Sequence, residues 1–145
     1  MTDKLNLLPA TAEQELFWTV FRTSTDLMAI TSIGERTHLA VNDTWLQTMQ
    51  YTAEEVIGRT GIEIGIWPGY DIAPEIEVAI TTGKPFDNLP TVMQAKDNRL
   101  IHCILTGRPV TLHGEDVWLF SSRDVTQNKL ANDAISDLQT ILIDA

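Results

Sequence analysis

The residues of this chain best equipped for acid–base, nucleophilic or metal chemistry are His38, His102 and His113, the single Cys103, and the acidic pairs Glu54/Glu55 and Glu75/Glu77. A nucleophile needs an adjacent base, and that base needs a group to orient it. No serine elbow, phosphate-binding glycine loop or metal-spaced His/Cys cluster accompanies these residues, and nothing in the settings of the three histidines makes a triad of them. His38 and His102 lie on or beside apolar runs and His113 lies in a turn, which are settings for structural or solvated imidazoles. Cys103 sits inside an apolar strand and reads as a small core residue, since reactive thiols need an electropositive, partly open setting. One thiol can form neither an internal disulfide nor a thiolate metal cage. The acidic pairs fall at helix starts or on helix surfaces, where solvated carboxylates belong. Catalysis is therefore not expected of this chain, and binding or regulation is.

The element that must position a regulatory signal is the stretch from Ser121 to Lys129. Here a β-type run, Val117, Trp118, Leu119 and Phe120, gives way to a helical pattern. Thr126 suits an N-cap, its hydroxyl accepting from the first free backbone amides, and Asp124 adds favourable charge at the positive helix end. In the helix that follows, Leu130, Ala131, Ala134, Ile135, Leu138, Ile141 and Leu142 recur at spacings of three and four, forming one apolar stripe on an otherwise polar rod. The stripe covers about two heptads, fewer than the three to four that define a coiled coil. It still runs at Ala145, so the helix is expected to continue into an effector.

Composition narrows the partners. A chain of 145 residues suits one domain with one core. Its formal net charge of −10, with no Lys/Arg cluster, disfavours nucleic acid and anionic membrane surfaces. No run approaches the roughly 18 apolar residues of a membrane span, and no signal peptide opens the chain, so a cytoplasmic location is expected.

Along the chain, Thr11-Ala12-Glu13-Gln14 has the form of a capping box and opens a helix with Leu16, Phe17, Val20 and Phe21 on one face. Leu27–Ile30 and Leu39–Val41 read as a hairpin joined by Ser32–Arg36. Asn42 or Asp43 can cap a short helix bearing Trp45, Leu46 and Met49. Thr52-Ala53-Glu54-Glu55 is a second capping box, closed by Gly58. A longer helix is expected from Asp71 to Thr82, stopped by Gly83 and Pro85. Leu89–Met93, Leu100–Leu105 and Val117–Phe120 read as three more strands. The order of helix, two strands, small helices, three strands and exit helix suits an α+β domain, a five-stranded antiparallel sheet with its helices gathered on one face and further helices flanking it at both ends.

Glu54-Glu55-Val56-Ile57-Gly58-Arg59, Glu63-Ile64-Gly65-Ile66-Trp67, Gly83-Lys84-Pro85-Phe86-Asp87-Asn88, Lys96-Asp97-Asn98 and Arg123-Asp124-Val125-Thr126 together resemble a PAS domain of the kind found in bacterial sensor kinases and cyclic-dinucleotide enzymes. The resemblance spans roughly residues 15 to 130. It implies strand order 2-1-5-4-3, a cavity between the sheet and the small helices, and a signalling helix after the last strand. The expected division is an N-terminal extension with the start of the flanking helix over 1–14, the PAS domain over 15–127 and the signalling helix over 128–145. Two departures stand out. Asn98 replaces the usual glycine of the Lys-Asp-Gly turn, and Pro90 inside the third strand requires an edge position or a bulge.

Photoreceptor members of the family resemble one another in an Asn-Cys-Arg-Phe motif that binds flavin covalently, whereas Arg59–Trp67 has no cysteine. Haem-binding members place an axial histidine on the long helix, where this chain has none. Neither haem nor a covalent flavin is expected, and an unidentified small molecule is permitted. The candidate cavity walls are Met28, Ile30, Trp45, Trp67, Ile76, Ile80, Thr91, Met93, Leu105 and Phe120, with Trp67 able either to line a pocket or to fill the core. Asp124 and Thr126 are the candidate coupling residues. The expected role is a sensory input domain, without catalysis, forming a homodimer and controlling an attached effector of histidine kinase or diguanylate cyclase/phosphodiesterase type. The alternative is a ligand-free dimerisation or interaction module.

Overall fold

Thr11 starts the first helix as its spacing from Gln14 requires, its hydroxyl accepting from the Gln14 amide at 3.1 Å. In the computed structural model, which describes residues 11–70 and 72–144, that helix, α1, runs Ala12–Thr23. It is followed by strands β1 (Leu27–Ser32) and β2 (His38–Val41) and the short helices α2 (Asp43–Met49), α3 (Ala53–Val56) and α4 (Gly61–Ile64). After a 3-10 turn at Pro68–Tyr70 come α5 (Pro74–Thr82), β3 (Phe86–Gln94), β4 (Leu100–Leu112), β5 (Glu115–Asp124) and α6 (Thr126–Asp144). The five strands form one antiparallel sheet of order β2-β1-β5-β4-β3, the order implied by the resemblance. Residues 1–10, most of the expected N-terminal extension, lie outside the described residues, as does Asp71, where α5 was expected to begin. The helix starts at Pro74, a proline in the first turn where its missing N–H costs nothing.

Alternation along the strands sorts two cores. Leu27, Ala29, Cys103 and Met93 face α2 to α5, with Trp45, Met49, Val56 and Ile66 packed over them. Ile30, Ala40 and Val117 face the other way and are covered by Trp18 and Phe21 of α1. Helices thus lie on both faces, the terminal one on its own side. The α1 stripe also differs from the expected one. Phe21 is buried, but Leu16 and Val20 are 65% and 57% exposed, and the unforeseen Trp18 is the anchor. Its indole N–H donates to His113 Nε2 at 3.1 Å and its ring stacks on the imidazole, tying α1 to the β4–β5 hairpin.

Pro90 is accommodated as the sequence required, because β3 is an edge strand and its register slips between Phe86 and Leu89. Pro109 lies in β4, where it pairs with Trp118 of β5. The β3 pairing has already ended at Gly107, so the missing N–H breaks no second ladder. The expected turn at Asn98 is left-handed at φ 72°, a conformation asparagine tolerates. Strands β3, β4 and β5 all run longer than their apolar segments, since polar residues such as Thr106 and Ser121 occupy the ladder as well.

Candidate functional site

Between the sheet and α4–α5 lies a cavity of about 160 Å³. Its walls are largely apolar. Of the residues expected there, Trp45, Trp67, Ile76, Ile80, Met93, Leu105 and Phe120 line it. Three others do not. Met28 and Ile30 point to the opposite face of the sheet and pack under α1, because they alternate with Leu27, Ala29 and Thr31, which do line the cavity. Thr91 pairs with Cys103 on the edge strand and stays outside the lining. Sequence alone does not place Met28 and Ile30, because β1 is apolar on both faces and so carries no alternation to show which residues face inward.

A buried histidine, His38, joins this wall. Its ring is 4% exposed and lines the cavity, 5.7 Å from the Trp45 ring. Nδ1 lies 2.8 Å from the Arg59 carbonyl oxygen, which can only accept, so Nδ1 carries the hydrogen. Burial holds the imidazole below its ordinary pKa, against the raising effect of that bond, and so favours its neutral form. Nε2 is then a lone-pair acceptor. The signal available in sequence was only a histidine starting an apolar strand, which fits a core residue equally well. Thr31 and Ser122 add hydroxyls to the lining.

The small helices position the outer wall. Thr60 and Glu63 form a capping box, as Thr52 and Glu55 do, Thr60 Oγ1 accepting from the Glu63 amide at 3.1 Å and Glu63 accepting from the Thr60 amide at 2.9 Å. Gly61 follows that cap, and a Cβ there would come within 2.9 Å of Trp67 Nε1 and 3.0 Å of Ile66, so only glycine lets Trp67 settle over the cavity. At the mouth, Arg36 donates to Glu77 of α5 at 2.6 Å and bridges the β1–β2 turn to the helix. Beneath, Asn42 is a buried hub. Its Oδ1 accepts from the Met28 and Trp45 amides, and its Nδ2 donates to the Phe21 and Asp26 carbonyls.

The exit junction is built differently from the expected cap. Thr126 is the first residue of α6, and its hydroxyl accepts no bond from that helix. It donates to Asp124 Oδ1 at 2.6 Å and accepts from the His102 amide of β4 at 3.0 Å. Asp124 Oδ1 also accepts from the Thr126 amide at 2.9 Å, so Asp124 caps the helix and Thr126 fastens it to the neighbouring strand. The Val125 amide donates to the His102 carbonyl at 2.8 Å, completing a two-point clamp. From Gln127 to Leu142 every residue of α6 is exposed.

A sheet in this order, a cavity under short helices and a helix leaving the last strand are the arrangement of one sensory family, and the family profile described as "PAS domain" matches residues 26–127. The chain belongs to the PAS domain family. No curated protein matches it in sequence. Among solved structures it is similar to the PAS domain of an HTR-like protein from Haloarcula marismortui, at 20% identity and TM-score 0.64, with 77% of this chain and 96% of that one covered. An RNA-binding light-oxygen-voltage receptor aligns at 14% identity and TM-score 0.72, over 94% of this PAS chain but only 40% of the receptor. The PAS domain of the fruit-fly ELK potassium channel aligns at 14% identity and TM-score 0.63, over 80% and 99%. At these identities the likeness is one of fold.

The PAS cavity holds no thiol. Cys103 is buried on the inner face of β4 but is not part of the lining, and burial, helped by the nearby Asp124 charge, pushes its pKa up to about 12. Among the described residues, no three His, Cys, Asp or Glu side chains come together as metal ligands, and no helix is long and apolar enough to cross a membrane.

Proposed function

We propose that this PAS domain is a sensory input module that reads a small ligand in its cavity and transmits occupancy through α6 to an attached output domain. The observation that carries the reading is the register of β4 and β5. Leu105 and Ser122 face each other and both line the cavity. Two residues further on, the facing pair is Cys103 and Asp124, and beside it His102 and Asp124 clamp Thr126. A shift of these strands on binding reaches the helix start without an intermediary. Signalling proteins of histidine kinase or cyclic-dinucleotide type are the proposed context, with a cytoplasmic location, the PAS unit over 15–127 and the signalling helix over 128–145.

The proposed ligand is neither haem nor flavin. Drug-sized ligands occupy about 300–1,000 Å³, and this cavity is smaller. The thiol for a flavin adduct is absent from its walls, and α5 offers no axial histidine. The domain is proposed to have no catalytic activity of its own. Dimerisation through exposed apolar residues of the terminal helices completes the proposal. Leu16 and Val20 supply the α1 part, and Leu138, Ile141 and Leu142 supply the α6 part.

Native mass spectrometry with an absorbance spectrum of freshly purified protein tests the ligand claim. The expected result is a colourless domain that retains, or is stabilised in thermal-shift screening by, a small non-chromophoric molecule. A Soret band or flavin spectrum surviving gel filtration would overturn it.

A further inference from the structure

Three polar atoms face the cavity without a protein partner. They belong to residues at most 8% exposed: the Thr31 hydroxyl, His38 Nε2 and the Ser122 hydroxyl. The bond of His38 Nδ1 to the Arg59 carbonyl is the ring's one hydrogen bond, and neither hydroxyl takes part in any. Yet among the described residues no fully enclosed side-chain nitrogen or oxygen is left unsatisfied, so these three atoms keep access to the open space of the cavity. A buried polar atom left unmade is costly, and here the missing partner has room to come from a ligand.

Two of the three act together. Thr31 and His38 are cross-strand partners in the β1–β2 register, which puts their side chains side by side on the cavity face. Ser122 pairs with Leu27, four residues along β1, about 13 Å from Thr31 at the usual strand rise. A cavity of about 160 Å³ is close to the roughly 150 Å³ that accepts a benzene molecule, so one ring fits and cannot span both ends. Trp45, whose ring lies 5.7 Å from that of His38, and Ile66, Trp67 and Ile76 elsewhere in the lining are surfaces suited to an aromatic face.

Charge is selected against. Among the described residues the one cationic lining group, Arg36, is already committed to Glu77 at 2.6 Å, and Glu35 adds a second carboxylate at the rim. An anion would enter without a counter-charge, and a charged ring of either sign would be desolvated against apolar walls.

We infer that the cavity recognises a neutral, single-ring phenolic compound, its hydroxyl donating to His38 Nε2 and accepting from the Thr31 hydroxyl. This rests on the proposed sensory function and specifies its ligand class. The recognition is geometric. An acceptor and a reversible hydroxyl sit side by side in an apolar, one-ring space, which matches a group that both donates and accepts. A ring without a donor leaves Nε2 unpaired, and a carboxylate has no donor to offer it.

Phenol, toluene and benzoate are the probes, with binding to this chain measured by calorimetry and the histidine Nε2 resonance followed in ¹⁵N-labelled protein. Phenol should bind and shift the His38 Nε2 signal, toluene should bind without that shift, and benzoate should not bind. In His38→Phe the phenol-to-toluene affinity ratio should fall about tenfold, the usual consequence of losing one hydrogen bond to a buried acceptor. Damage to the cavity in general would move both ligands together and leave the ratio alone. Thr31→Val, close in shape and lacking the hydroxyl, should lower the same ratio by a smaller factor. If toluene binds but the ratio is unchanged and Nε2 stays silent on adding phenol, the phenolic inference fails while ligand sensing stands. If none of the three enters the wild-type cavity, both this inference and the ligand reading beneath it fall.

Discussion

At the scale of single residues, the most consequential side chain is one whose type alone suggested little. Burial lowers the pKa of His38, and that has a pH signature. Its folded-state pKa lies below the unfolded value of about 6.5, so between the two the unfolded chain binds a proton that the folded chain does not. The stability this withholds is fully present above about pH 6.5 and is lost as pH falls toward the lowered folded value. Melting temperature should therefore decline on going from pH 7.5 to 5.5, and His38→Gln should flatten that decline. An unchanged slope would mean that the imidazole is solvated. Cys103 offers a second check. A buried thiol with its pKa pushed up to about 12 should resist maleimide at pH 8 in the native state and react only on unfolding. Labelling at the rate of a free thiol would contradict the placement of β4.

At the scale of elements, the sequence was most legible where local chemistry is decisive. The cap at Thr11, the box at Thr52, the turn at Asn98, the edge position demanded by Pro90 and the strand order all follow from residues a few positions apart or from the family pattern. What it hid depends on contacts distant in sequence. Trp18 meets His113 across 95 positions, and the facing of Met28 and Ile30 is decided by which helix covers which side of the sheet. The junction was legible in its residues but not in its roles, because the partner of Thr126 is the amide of His102, 24 positions earlier. One consequence concerns Trp18→Phe, which keeps a large ring and removes the bond to His113. It should cost about 0.5–1.5 kcal/mol in denaturant unfolding, and a loss near the 3–5 kcal/mol of a deleted aromatic would mean that packing is broken as well. Another concerns Gly107, where a Cβ would sit 2.5 Å from the Phe86 ring and 3.0 Å from Phe120. Gly107→Ala should destabilise by about 1–3 kcal/mol through overpacking, and Phe86→Leu should recover part of the loss in the double variant.

At the scale of the molecule, the sheet is the shared wall of two compartments. One face holds a small cavity with unpartnered polar atoms, the other holds α1, and the strands under the cavity end at the clamp on α6. That layout makes the junction a place where modest energies matter. Asp124→Ala removes the acceptor for the Thr126 amide and hydroxyl and should loosen the first turn of α6 by about 0.5–2 kcal/mol, against a domain stability of about 5–15 kcal/mol. A change of about 1.4 kcal/mol is tenfold in a two-state equilibrium, enough to reset α6 without unfolding the sheet. The central claim is that cavity and helix communicate through β4 and β5, and hydrogen exchange tests it most directly. Protection of the amides at His102 and residues 125–130 should change when a cavity ligand saturates the wild-type domain, and that response should disappear in Asp124→Ala while the sheet stays protected. Changes confined to the cavity walls, with the α6 start unaffected in the wild type, would contradict the account.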